Sequence, residues 1–259
     1  MRRSLLIPLM VTLGSGLLIA GVFLVPTVLA NVRIAGDNCR DLPSHAELRA
    51  ALADARAEDN AGFDLDMWAT IVNRDGTVCA VAFTGDTRGD QWPGSRVISA
   101  QKANTANAFS LEGLAVSTAN LYSLVQPGES LYGLQHSNPV DTDTAYRGNA
   151  RHYGQANDPM TNRKIGGVNV FGGGVALYDP AGNILGGLGV SGDTACADHF
   201  ISWRVRHGLD LHHTPTVDNI IFDITQDANG HPVSASGFGH PHCLDPVAEN
   251  QVLGDLPGN

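Results

Sequence analysis

Apolar positions recur along this chain in short, readable patterns. Leu48, Leu52 and Ala55 fall at helical spacing behind Ser44-His45-Ala46-Glu47, whose serine and glutamate have the spacing of a capping box. The pattern predicts a first helix that stops near Gly62. Met67 to Val72 and Val78 to Phe83 are strand-like runs around Asn73-Arg74-Asp75-Gly76-Thr77, in which Asp-Gly is a strong turn signal, so a hairpin follows the helix. From Arg96 to Val125 the chain is rich in alanine, leucine and serine and free of proline, which predicts a helix that Gly113 divides in two.

A polar stretch from Leu134 to Lys164 is too long for an ordinary loop, which marks it as a functional lid or an interface arm. Gly166 to Tyr178 and Ile184 to Val190 read as strands around Asp179-Pro180-Ala181-Gly182-Asn183, and a last good helix runs from Asp193 to His207. Asn219 to Ile224 reads as a short extra strand before a glycine- and proline-rich tail. This order of elements predicts an antiparallel sheet with helices packed on it, an α+β domain.

Composition narrows the compartment and the partners. Lysine and arginine total 16 against 26 acids, for a net charge of -10, and no basic run interleaves with aromatics. Nucleic acid is therefore excluded as a partner. Arg2 and Arg3 precede an almost unbroken apolar run from Leu5 to Val25, followed by Pro26 and Val28-Leu29-Ala30. That order fits a secretory signal over residues 1–30 with Ala30 as the cleavage residue; the run is also about long enough to span a bilayer, so an uncleaved anchor is the alternative. Residues 31–43 form a linker that carries Cys39. Cys39, Cys79, Cys196 and Cys243 all lie in the exported part, an even count without a close Cys-x-x-Cys, which reads as structural disulfides. Three pairings exist. A helix just after Cys39 that runs back along the hairpin brings Cys39 to Cys79 at one end of the sheet, so Cys39–Cys79 and Cys196–Cys243 is the favoured pairing.

Several segments carry candidate chemistry. Gly186-Gly187-Leu188-Gly189-Val190-Ser191-Gly192-Asp193 is a glycine-dense strand that opens into a helix, where free backbone N–H groups can hold an anion or carboxylate; close helix-to-sheet packing explains the glycines equally well. It lacks a P-loop lysine and a dinucleotide fingerprint, so no nucleotide is expected, and it is not a Gly-x-Ser-x-Gly elbow, so no catalytic serine is assigned. Lys102 and Thr105, one helical turn apart, offer a cation and a hydroxyl to one polar spot, a pairing suited to a carboxylate such as a haem propionate. The alternative is a lysine snorkelling off a packed helix. Among ten histidines, His207, His212 and His213 cluster and His240 and His242 lie beside Cys243; His45 and His199, near the starts of two helices, are the better-placed haem-iron candidates.

In order, Ser99-x-x-Lys102-Ala103-x-Thr105-Ala106-x-x-Phe109, Gly172-Gly173-Gly174-Val175-Ala176-Leu177, Gly182-x-Ile184-x-Gly186-Gly187-x-Gly189-Val190-Ser191-Gly192 and Asp198 resemble the GlcG and HbpS type haem-binding family, which includes the C-terminal domain of some cobalamin adenosyltransferases. The resemblance spans about Ser44 to His207. It implies a profilin-like α-β-α domain (44–209) with a five-stranded antiparallel sheet, assembly into a homo-oligomer, haem or a related tetrapyrrole as ligand, and in exported members a membrane sensor partner. Ser99, Lys102, Thr105, Ser191, Gly192 and Asp198 are then the pocket candidates, placed where the lysine-bearing helix and the turn into the last helix converge on one side of the sheet. The 134–164 arm, the four cysteines and the 210–259 extension depart from the shorter family members, and no iron ligand is carried over. The leading reading is an extracytoplasmic tetrapyrrole-binding protein with no catalytic set. The alternatives are a haem-degrading or redox-active enzyme using Asp198 and His199, and an oligomeric scaffold or sensor partner.

Overall fold

A computed structural model describes residues 38–259; the expected signal or anchor and residues 31–37 of the linker lie outside the described residues. Helix α1 (His45–Ala57) begins at a complete Ser44/Glu47 capping box and buries Leu48, Leu52 and Ala55, the stripe its spacing announces. Strands β1 (Trp68–Asn73) and β2 (Val78–Phe83) form the first hairpin, and β3 (Gly174–Tyr178) and β4 (Ile184–Ser191) the second. They make one antiparallel sheet in the order β2-β1-β4-β3.

Alternation along β1 divides the core into two layers. Ala69 and Ile71 face α1 and α5 (Ala195–Gly208), together with Val175, Leu188 and Ile201. Trp68 and Val72 face α2 (Ser95–Phe109), with Val97, Ala100 and Ala103. On β4, a Cβ at Gly187 would fall 2.2 Å from Ala103 O and one at Gly189 1.9 Å from Ser99 O. The glycines thus remove a whole layer of side chains, and α2 lies with its backbone directly on the sheet.

The sheet has four strands, one fewer than expected. Among the described residues only single bridges continue it at its edges, Thr77 with Lys164 beside β2 and Tyr178 with His212 beside β3. The run from Gly166 becomes a strand only at Gly174, because Gly166, Gly167 and Gly173 take positive φ and break the extended backbone. The helix expected up to Val125 ends at Phe109: beyond it the Ser117 hydroxyl and Asn120 amide bond one another and nearby backbone in place of a helical ladder. The stretch from Asn219 to Ile224 adds no strand to this sheet either, since the Ile220 N–H donates to the Asn219 side chain. Ile224 instead opens β5 (Ile224–Gln226), which pairs with β6 (Pro232–Ser234) in a separate two-stranded ribbon.

The 134–164 segment contains two single-turn helices, α3 (Leu134–Ser137) and α4 (Thr142–Ala145), and is packed down onto the α2 layer. Ala145 and Met160 join the core, and the buried Arg96 guanidinium binds Asp158 through Nε at 2.9 Å and the Ala145 carbonyl at 2.7 Å. The disulfides pair Cys39 with Cys79 and Cys196 with Cys243. The second ties α5 to the extension, which ends in α6 (Pro246–Asp255). This helix stands where the sequence reads as an irregular tail, although its Asp245 cap and Pro246 start are plain local signals. Among the described residues no helix is long and apolar enough to cross a membrane.

Candidate functional site

Helices α2 and α5 lie on opposite faces of the sheet, so the lysine helix and the turn into the last helix do not converge on one side. The Lys102 side chain crosses beside the start of β3, where Gly173 leaves room: a Cβ there would stand 2.7 Å from Nζ and 2.9 Å from the Asp198 Cβ. Lys102 Nζ donates to Asp198 Oδ2 at 2.6 Å and to the Val190 carbonyl at 3.1 Å, and the Phe171 ring covers it at 4.7 Å. Asp198 Oδ1 accepts from Gly192 N–H at 3.0 Å and Asp193 N–H at 2.9 Å. The glycine-rich turn and the lysine therefore do hold a carboxylate, and it is one supplied by the chain itself.

The other pocket candidates are equally engaged. Ser99 Oγ donates to the Arg96 carbonyl and contacts Thr70 Oγ1 at 2.8 Å. Thr105 Oγ1 donates to the Gln101 carbonyl and accepts from Asn169 N–H. Ser191 closes β4 opposite Trp68, and Gly192 follows it. Lys102 and Asp198 are almost wholly buried, and packing fills the hollow expected there. Burial pushes the Asp198 carboxyl up to about 6 and pulls the Lys102 ammonium below the usual lysine range, while each partner's charge opposes the shift.

Neither histidine candidate touches this node. His45, half-buried on the first turn of α1, contacts the Gly154 carbonyl through Nε2 at 2.9 Å. His199 is fully enclosed, with Nε2 3.1 Å from both Asn219 Oδ1 and Ile220 N, while its Nδ1 has no hydrogen-bond partner. Burial holds its imidazole neutral, down to about 3. His240 is neutral for the same reason, near 4, accepting from Gly172 N–H and donating to the Pro241 carbonyl.

The open concavities lie elsewhere. One, about 810 Å³ between α1, α5 and α6, is lined by Glu47, Asp54, Glu58, Asp59 and Asp255 against the single cation Arg204. A groove of about 530 Å³ outside the α2 layer is built of Trp68, Pro93, Tyr146 and Tyr153 with Arg88 among its exposed residues. The Trp68 indole N–H is buried without a hydrogen-bond partner, and the Arg96 guanidinium stacks on Tyr153 at 3.6 Å. Tyr146 and Tyr153 come from the 134–164 segment, so this groove joins parts of the chain that sequence spacing does not connect; isolated aromatics in a polar stretch were the only signal.

A family model described as "Haem degrading protein HbpS-like" matches residues 44–204. The chain belongs to the HbpS-like family. The match takes in both hairpins, α1, α2, the Lys102–Asp198 node and every residue of the aromatic groove named above. Among solved structures the HbpS-like chain is similar to a PduOC:heme complex, at 23% identity and a TM-score of 0.46, covering 67% of this chain and 98% of that one. It is similar also to the Klebsiella pneumoniae protein ORFY, at 22% identity and 0.44, covering 64% and 90%. No curated protein matches.

Proposed function

We propose that the protein binds haem or a related tetrapyrrole on the outer side of a membrane, and that the ligand seats in the Trp68–Tyr146–Tyr153 groove. Membership of a haem-related family carries the ligand class. The groove has chemistry that suits it: flat aromatic walls for a macrocycle and a guanidinium for a propionate. The acidic concavity would repel propionates, and the Lys102–Asp198 node has its charges already paired. The exposed Tyr146 supplies a phenol oxygen, a known class of haem-iron ligand, while the Tyr153 hydroxyl donates to the Tyr146 carbonyl at 2.9 Å, and bound haem would supply the redox chemistry of its iron. The apolar leader after Arg2 and Arg3 and the two disulfides support export.

Titration of the purified exported part with haemin tests both levels of this reading. A saturable Soret shift is expected, with affinity about ten-fold weaker in Arg88→Ala and Tyr146→Ala and retained in Arg88→Lys. No Soret shift in folded protein removes the ligand; a shift unaffected by the groove variants removes the seat. Haem degradation, named in the family's description, is the second reading. It predicts reductant-dependent loss of the bound haem absorbance, and a loss unchanged in His199→Ala counts against the enclosed Asp198–His199 pair as its source.

A further inference from the structure

Just past α5, outside residues 44–204, a second polar cluster gathers that the haem reading does not use. Asp210 takes a left-handed backbone, φ 55°, which aspartate tolerates better than most residues, and the chain turns sharply there. Its Oδ1 lies 3.0 Å from His213 Nε2 and 3.7 Å from His212 Nδ1. The His212 and His213 rings stack at 4.3 Å, and His207 from the last turn of α5 stacks on His212 at 4.1 Å. His212 Nδ1 is buried and lacks a hydrogen-bond partner, since 3.7 Å to the carboxylate is too long for one.

We propose that Asp210 Oδ1, His212 Nδ1 and His213 Nε2 bind one divalent transition-metal ion of the zinc and copper class. All three atoms lie within 4.8 Å of one another. Two ligands each about 2.0–2.2 Å from one ion, at tetrahedral or octahedral angles, stand about 3.0–3.6 Å apart, close to the two separations observed. An ion between Asp210 and His212 satisfies the orphaned nitrogen that no protein group reaches. Two imidazoles with one carboxylate suit Zn²⁺, Ni²⁺ and Cu²⁺, whereas Ca²⁺ and Mg²⁺ want an all-oxygen shell. The His207 ring holds His212 in place by stacking, and the C-terminal end of α5 favours a cation nearby. Three protein ligands leave a coordination position for water or a small anion. Cys196, His240 and Cys243 also cluster, but their sulfurs are joined to each other as a disulfide.

The test is titration of chelator-stripped, disulfide-intact protein with zinc chloride in competition with a chromophoric chelator. One equivalent bound at micromolar affinity or tighter is expected, at least ten-fold weaker in His213→Ala and in Asp210→Asn, and unchanged in His231→Ala, whose imidazole is exposed beside Asp227. Copper loading adds a signature of two nitrogen ligands in the EPR spectrum, reduced to one in His213→Ala. Equal losses in His231→Ala, or wild-type binding no tighter than that of the Asp210→Asn/His213→Ala double variant, overturns the site. Far-UV circular dichroism of each variant separates lost ligands from lost fold, and because no haem is present, either result leaves the haem reading standing.

Discussion

The two ends of α5 set a carboxylate against nitrogen groups in opposite circumstances. At the N-terminal end Asp198 meets Lys102 and two backbone N–H groups, and both charged residues are almost wholly buried. At the C-terminal end the exposed Asp210 meets two half-buried imidazoles, with one buried nitrogen left over. The first cluster is complete and holds two layers together across the sheet. The second is incomplete, and incompleteness at a reachable place is what a ligand can use.

The comparison breaks most readily at Lys102. Lys102→Ala strands a buried carboxylate and is expected to cost about 3–5 kcal/mol in urea unfolding. Lys102→Met with Asp198→Leu removes both charges and should cost clearly less; an equal loss would mean that packing, and not the ion pair, governs the node. Next comes Gly189→Ala, whose Cβ would collide with the Ser99 carbonyl. Pushing α2 off the sheet is expected to cost about 1–3 kcal/mol, whereas Gly113→Ala, with open space around it, serves as the control. A small effect at Gly189 would show that the helix can ride outward.

The smallest effect is a slope. His199 is held neutral down to about 3 in the fold against an ordinary 6.5, so its contribution is intact above pH 6.5. Below that the unfolded chain takes a proton the fold refuses, and stability falls by up to about 1.4 kcal/mol per pH unit until pH nears the folded value. Asp198, raised to about 6, works the other way, because its folded form takes up a proton before the unfolded form does. Urea midpoints at pH 7 and pH 5 should therefore drop less in His199→Gln than in wild type. Parallel drops would assign the acid sensitivity to His240 and the remaining buried groups.

Much of the local structure was legible because its causes are local. The Ser44 capping box, the Leu48–Leu52–Ala55 stripe, the Asp75-Gly76 turn and the alternation of β1 need only near neighbours. The extra helix, α6, is equally local, and its Asp245-Pro246 start is a signal that the glycine- and proline-rich surroundings obscure. The missing fifth strand, the early end of α2 and the packed 134–164 segment depend on positive-φ glycines and on side chains meeting backbone from distant elements.

The chain by itself determined that a helix would follow the glycine-rich strand, offered Lys102 and the Gly192 turn as groups able to hold a carboxylate, and favoured the pairing of Cys39 with Cys79 and Cys196 with Cys243 that the structure shows. Only the tertiary structure decided whose carboxylate it is. Periodicity assigns residues to faces of an element, but it does not record which side of the sheet each helix takes or how far a lysine can reach past a strand with no side chain at Gly173. That reach turned a proposed ligand pocket into an internal ion pair and left the open surfaces to residues brought together by the fold.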